Sequence, residues 1–495
     1  MRRTALPAAV LMLVALVASP AAAHGKVDST RLREAVTVSA ILSHERALQR
    51  FADQFGGTRA AGTSGHDASA AYVKSKLTAA GLVVSEQPFE FPFFTELAPA
   101  TLAQSAPVSK TYATVTLRFS GSGDVAGVVA PTNDILVPAP PAPASTSGCE
   151  AADFTPAPAE PAIALLQRGG CDFAAKVTNA QAAGYDAAVI FNEGQEGRTE
   201  NLQGTLGREF DLPVVGLDYA DGSALYSQTL VGAVTARVTT STRAGIKKTS
   251  NVIGETPGGD PEKVLVIGAH LDSVPAGPGI NDNGSGVATI LTIAEKMAGL
   301  KVTPRQKVRY AFWGAEEDGL VGSTHYVDTL PEAELSRIYA NLNFDMLGSP
   351  NYARFVYDGD GSGGVAGPRG SAAIESIFTE YFTARKLASV PTAFDGRSDY
   401  GPFIAVGIPA GGLFSGAEDV KTEREAQMFG GTAGQPYDSC YHQACDTVEN
   451  LNLNALDELG DAAAHATYVM AMGKPDVPSG RRAAEMDLSG PYIGR

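Results

Sequence analysis

The sequence is short of several residues and motifs that would point to a simple chemistry. It has four cysteines in 495 residues, and neither close pair is spaced C-x-x-C, which counts against a thiolate-only zinc site. No G-x-S-x-G appears, so the serine elbow of the α/β-hydrolases is missing. Basic residues are in the minority: 38 Lys and Arg against 54 Asp and Glu leave a formal net charge of −16, which argues against nucleic acid or anionic membrane as partners. Beyond the first twenty residues no run is apolar enough to cross a bilayer. What remains is 44% hydrophobic and 19% charged, the composition of a folded chain long enough for two or three domains.

The first 23 residues read as a leader. Arg2 and Arg3 precede the apolar run ALPAAVLMLVALVA, shorter than the roughly 20 residues of a spanning helix, and Ala21-Ala22-Ala23 supplies a small-residue cleavage site. Export with cleavage after Ala23 is expected, and loss of the two arginines would take the charge from −16 to −18. The cysteines agree. Cys149 and Cys171 fall in one region and Cys440 and Cys445 in another, so two local disulfides are expected among the three possible pairings, in a secreted, extracellular protein.

Along the chain, apolar spacing predicts helix over 27–55, a glycine-rich turn GGTRAAGTSGHDAS, and a second helix ended by Gly81. The segments LVVSEQPFEF and TYATVTLRFS have strand character. Between about 110 and 245 short β-like pieces and one helix, FAAKVTNAQAAG, alternate with a loop rich in Pro, Ala and Ser. From Asn251 the order becomes strand, helix, strand, helix. Strands are expected at VLVIGAH, KVRYAFWGA, IYANLNFDML and PAGGLFSG, and helices at SGVATILTIAEKMAG, SAAIESIFTEYFTARK and LNALDELGDAAAHATYVMAMG. That alternation predicts an α/β fold, a mostly parallel mixed sheet sandwiched by helices.

Chemistry collects at the ends of these strands. His270 closes VLVIGAH, with Asp272 two residues on and Asp282 in the Pro/Gly-rich loop that follows; open α/β sheets place their sites at this edge. The second corner, WGAEE, runs a buried strand into Glu316 and Glu317, whose side chains must point in different directions. Asp345 ends the third strand, and His442 sits between Cys440 and Cys445 in a loop a disulfide would rigidify. Each corner alone could be an acidic helix cap or a loop. Together they offer two imidazoles and at least three carboxylates without a thiolate, a set suited to zinc, and too many donors for one catalytic ion but enough for two about 3.5–4 Å apart.

H-x-D, G-x-N-D-N-x-S-G, W-G-A-E-E, N-x-D-M and Y-H, taken in this order over Asn251–Met472, resemble the two-zinc exopeptidases typified by secreted bacterial leucyl aminopeptidases. Glutamate carboxypeptidases and glutaminyl cyclases are relatives of that family. Ile163–Glu193 resembles the protease-associated domain inserted in several exopeptidases, a module of strand, R-G-x-C, helix and strand that either controls access or acts as a spacer. The resemblance implies that Asp282 bridges two Zn2+ ions per chain, with His270 and Asp345 on one and Glu317 and His442 on the other. It implies Glu316 as general base, Tyr441 as donor to the oxyanion, Asp272 as orienter of His270, and a cis peptide at Asp282-Asn283. The segment DGRSDY resembles the aminopeptidase version that positions substrate through its arginine, here Arg397, and GIPAGGLFSGAEDVKT resembles the wall of the first side-chain pocket, with Phe414 facing it. The sequon Asn283-Gly284-Ser285 lies inside the metal loop and is set aside as a glycan site.

The expected organisation is a signal peptide (1–23), an N-terminal helical part of the catalytic domain (24–110), an inserted β-rich protease-associated domain (111–245), the catalytic domain (246–475) and a loose tail (476–495). The expected activity is removal of N-terminal, leucine-like residues from peptides with a free N-terminus by a monomeric zinc aminopeptidase. A carboxypeptidase of the same family is the main alternative, ahead of a one-zinc glutaminyl cyclase or a binding protein without catalysis.

Overall fold

Four aliphatic runs frame the structure. In the computed structural model, which describes residues 27–157, 161–473 and 477, they form the parallel strands Gln306–Trp313, Asp260–His270, Ile338–Phe344 and Ala410–Phe414, neighbours in that order. Ile338–Phe344 is buried throughout and Asp260–His270 from Val264 onward. Continuous burial, rather than alternation, is what a sheet covered on both faces requires. Trp313 lies opposite His270, Asn343 opposite Gly268, and Phe344 opposite Leu413, so all four strands finish at the same edge. The chain leaves the His270 strand for the Trp313 strand on one side, then crosses to the Phe344 strand on the other. That reversal opens the crevice in which α/β sheets hold ligands.

Helices cover this sheet. Gly286–Gly299, Ser371–Ala384 and Leu453–Met472 fall where the sequence predicted them and share one apolar core with Val38–Gln54 and Ser64–Ala79, through Ile290, Phe378, Leu459, Leu48 and Val73 among others. The helix expected over 27–55 is two. Thr30–Ala35 stops and Val38–Gln54 restarts because the Thr37 hydroxyl accepts the amide of Ala40, 3.2 Å away, as an N-cap.

The stretch from 111 to 245 extends the same sheet. Strands Val83–Ala106 and Thr235–Glu255 pair antiparallel from Val83–Glu255 to Ala106–Thr235. One end of Thr235–Glu255 pairs with the Trp313 strand, and the other with Gly123–Pro131, which starts a parallel run through Ala162–Gln167, Ala187–Phe191 and Val214–Leu217. The result is one connected 14-stranded sheet. Pro88 and Pro92 break the period-two signal of the first long strand, but its outer edge is unpaired there, where a missing N–H costs nothing. TYATVTLRFS supplies only the short strands Lys110–Tyr112 and Val115–Thr116. The structure adds a second helix in this stretch, Tyr219–Thr229, between two of the expected β-like pieces, and Gly222 lies within it. It is a contact residue: a β-carbon there would lie 2.2 Å from Phe191. Among the described residues no helix is long and apolar enough to cross a membrane.

Trp313, the chain's one tryptophan, is fully buried, with its indole nitrogen 2.5 Å from where a β-carbon on Gly268 would stand. Gly268→Ala is therefore expected to overpack the central strands and lower stability by about 1–3 kcal/mol. Denaturant unfolding followed by Trp313 fluorescence measures this; an unchanged midpoint would mean that the two strands have slack.

Candidate metal centre

The loop after the His270 strand is shaped by its two asparagines. The Asn283 amide donates to the Phe344 carbonyl (2.9 Å) and its oxygen accepts the amides of Gly286 (2.9 Å) and Met346 (3.2 Å). Asn281 accepts the Gly348 amide at 2.9 Å and donates to Asp438 at 2.7 Å. Asp282, between them, is thus fixed against the end of the Asp345 strand, and the Asp282-Asn283 peptide is cis. Asn283 is fully buried.

Five residues foreseen as ligands converge here. Asp282 stands between two imidazoles, with Oδ1 at 3.2 Å from His270 Nε2 and Oδ2 at 3.2 Å from His442 Nε2. His270 Nε2 also lies 3.3 Å from Asp345 Oδ1, and His442 Nε2 lies 3.0 Å from Glu317 Oε2. Glu316 joins His270 and Asp345 in a group whose ligand atoms fall within 4.8 Å of one another; His270, Asp282 and Glu317 form a second such group. Buried Glu317 Oε1 and Asp345 Oδ1 have no hydrogen-bond partner. Orphaned carboxylate oxygens facing imidazole nitrogens fit divalent cations better than they fit one another.

Electrostatics carry the same message. Burial pulls the imidazoles of His270 and His442 down, but the surrounding carboxylates outweigh it, and His442 is pushed up to about 11, chiefly by Glu317. Burial raises the Asp282 carboxyl, yet hydrogen bonds from both imidazoles hold it well below its ordinary range. Glu317 is raised to about 6 by burial and by Asp282. Glu316 is raised well above the usual range by burial, then by Glu317 and Asp399, against the pull of His270. Protons on the two histidines thus occupy the place of the positive charge this pocket demands.

Asp272 is adjacent as expected, though the atoms differ from the simplest reading. Its main-chain carbonyl is 3.2 Å from His270 Nδ1, which leaves Nε2 free to face the centre. Its carboxylate, 3.8 Å from that nitrogen, accepts the amides of Glu316 (3.1 Å) and Glu317 (3.3 Å), and so aligns the glutamate corner. Tyr441 stacks on His442 with ring centres 3.8 Å apart. The phenol oxygen accepts from Arg397 Nη2 at 3.2 Å, and the same nitrogen pairs with Glu418 at 2.9 Å. Phe414 is half-buried at the end of its strand and stacks on Phe355 with 5.8 Å between ring centres.

Several supporting residues were not foreseen. Ser398, inside the quoted DGRSDY, donates to Asp345 Oδ2 at 2.5 Å and accepts from Asn343 at 2.7 Å. Asp446, directly after Cys445, accepts the amides of Asn281 (2.7 Å) and Asp282 (3.0 Å), which ties the histidine loop to the aspartate loop. Asp399 is fully buried, and burial raises it to about 7. Ala315, Met346 and His442 all have φ between 53° and 57°, a region L-residues rarely visit, and all lie at or within two residues of one of the five. Such backbone is retained where the surroundings over-determine it, as at functional sites.

Both expected disulfides are present, Cys149–Cys171 and Cys440–Cys445. The second closes a six-residue loop around His442. The double variant Cys440→Ser/Cys445→Ser is expected to weaken uptake of one divalent ion by about 10-fold or more while the rest of the fold persists, since the ordering cost of that loop moves to the binding step. Chelator-competition titration would measure it; wild-type affinity would mean that Asp446 alone holds the loop.

Residues 251–467 match the model of peptidase family M28, and residues 133–225 match the PA domain. The chain is 46% identical over 455 residues to an aminopeptidase of Pseudomonas aeruginosa, covering 89% of this chain and 82% of that one. It is 43% identical to a probable leucine aminopeptidase 2 of Aspergillus fumigatus, covering 73% and 70% respectively. Among solved structures, the aminopeptidase of Aneurinibacillus sp. strain AM-1 shares the fold, with a TM-score of 0.69 at 24% identity over 92% of this chain and 98% of that one. A sheet edge that gathers two histidines and four carboxylates, in a chain so closely akin to these enzymes, makes this protein a member of peptidase family M28 with a PA domain in its first half.

Proposed function

We propose that the chain is a secreted metallo-aminopeptidase that uses two zinc ions, with Asp282 shared between them, His270 and Asp345 completing one site, and Glu317 and His442 the other. One observation carries the reading: each oxygen of the Asp282 carboxylate faces a different imidazole. A donor set of histidine and carboxylate without thiolate suits zinc among the borderline ions. Held by these residues, such ions would supply Lewis acidity toward a bound water and the scissile carbonyl.

The chain's own residues supply the proton handling. Glu316 is buried beside His270 and Asp345, within reach of the position between them, where a carboxylate can take a proton from the attacking water and return it to the leaving amine. Burial, with Asp282 and Glu317 nearby, holds the Tyr441 phenol well above its ordinary range. It therefore stays an O–H donor, and because Arg397 donates to its oxygen, its own proton is free for the developing oxyanion.

Polarity follows from charge. A carboxypeptidase needs a free basic clamp for the terminal carboxylate. Arg397, the arginine beside Tyr441, is already engaged by Glu418. Beside the metal positions stand Glu316, Asp345 and Asp399, carboxylates that suit a substrate ammonium. Phe414 with Phe355 would form an apolar wall for a leucine-like first side chain. On this reading the residues of 111–245 form the inserted module, and the disulfides together with the leader-like first 23 residues support export.

Chelator stripping should abolish hydrolysis of leucyl-p-nitroanilide, and zinc should restore it; a peptide with a blocked N-terminus and a free C-terminus should not be cleaved. Cleavage of the blocked peptide alone would reverse the polarity. Glu316→Gln is expected to retain bound zinc while kcat falls by roughly 10²–10⁴. A variant with undiminished kcat would remove Glu316 from the mechanism.

A further inference from the structure

Arg59 is a fully buried cation that the chemistry above does not use. It stands in the glycine-rich turn GGTRAAGT, outside the residues 251–467 matched by the family model. Its guanidinium points at no carboxylate. Nε donates to the Pro278 carbonyl at 2.8 Å, Nη2 to the Gly279 carbonyl at 2.5 Å, and Nη1 to the Leu271 carbonyl. Its main-chain amide donates to Ser273 Oγ at 3.0 Å, and that hydroxyl donates to the Gly277 carbonyl at 3.0 Å. Leu271 follows His270 directly, and Gly279 lies three residues before Asp282. One side chain therefore grips both ends of the loop that separates two expected metal ligands.

The fit leaves little room. Gly279 has φ +61°, and a β-carbon on it would lie 2.3 Å from the Asp282 carbonyl and 3.2 Å from Arg59 Nη2. A cation surrounded by carbonyls still needs countercharge. Burial lowers the proton affinity of Arg59, and Glu45 is the carboxylate that opposes this most, followed by Asp272, Asp446 and Asp282. Glu45 is itself fully buried, with neither oxygen hydrogen-bonded. It lies under the metal loop: a β-carbon on Gly284 would come within 2.9 Å of Glu45 Oε2. Helix Val38–Gln54, which carries Glu45, thus packs beneath that loop, and burial raises the Glu45 carboxyl well above its ordinary range against the pull of Arg59.

We propose that Arg59 is a positioning residue, which holds loop 271–279 so that His270 and Asp282 stand at metal-binding separation before any metal arrives. The proposal rests on the two-metal reading. It assigns the N-terminal segment a part in the centre beyond covering the sheet. A lysine keeps the charge but cannot reach three carbonyls from one planar fork.

The test uses the full-length wild type with Arg59→Lys and Arg59→Met, each stripped of metal and titrated with zinc against a fluorescent chelator, with melting of the metal-free forms recorded separately. Both variants are expected to bind zinc about 10–100-fold more weakly, the usual effect of losing a group that orients metal ligands. Zinc affinity in Arg59→Lys within twofold of wild type would overturn the proposal, even if its melting temperature fell, because that is the signature of a purely structural residue. Amide hydrogen exchange of the metal-free wild type gives a readout independent of either variant folding. Protection across 271–282 is expected, and rapid exchange there would overturn the proposal equally. Should wild type itself take up no zinc, the two-metal reading fails, and faster exchange across 271–279 in metal-free Arg59→Met than in wild type still decides whether Arg59 orders the loop.

Discussion

Everything in the catalytic half of this structure is arranged around one carboxylate held between two imidazoles. Asp282 is buried and flanked by hydrogen-bonded asparagines, and its amide is capped by Asp446, so it has almost no freedom to turn away. An uncompensated cluster of Asp282, Glu316, Glu317 and Asp345 would be strongly self-repelling in this setting. The carboxylates push both imidazoles up, and burial, with that repulsion added, pushes Glu316 and Glu317 up. A pocket whose carboxylates raise both of its imidazoles demands positive charge, and divalent cations supply it without a proton.

The scaffold explains why these groups meet although they lie far apart in sequence. Parallel strands in matched register bring His270, the glutamate corner and Asp345 to one edge, and the reversal of strand order beside the His270 strand opens space between them. His442 comes from a loop that no strand positions. A disulfide and Asp446 do that work, the second by joining the loop directly to the Asp282 backbone. The PA-domain stretch is joined to the same sheet through a long antiparallel ribbon, and Arg118, ahead of the matched residues 133–225, lies 3.6 Å from Asp318, directly after the glutamate corner.

Much of this was legible in sequence because period and chemistry coincided. A run such as VLVIGAH, wholly apolar until its last residue, announces both a covered strand and the polar group at its end, and WGAEE does the same. What stayed hidden has specific physical causes. Arg59 and Glu45 are charged residues in a turn and a helix, indistinguishable in one dimension from solvated ones; only folding reveals that both are buried. Ser398 hid behind its more conspicuous neighbour Arg397. Asp272 was identified, but sequence could not say that its carbonyl would face His270 and its carboxylate the glutamate amides. The helix at Tyr219–Thr229 has little apolar periodicity, burying only Gly222 and Leu225, so the sequence pattern does not announce it.

The central claim concerns two cations sharing one aspartate, and anomalous scattering at the zinc edge from crystals of the zinc-loaded protein tests it most directly. The account predicts two peaks per chain about 3.5–4 Å apart, one on either side of the Asp282 carboxylate. A single peak, or a pair that Asp282 does not bridge, would contradict it.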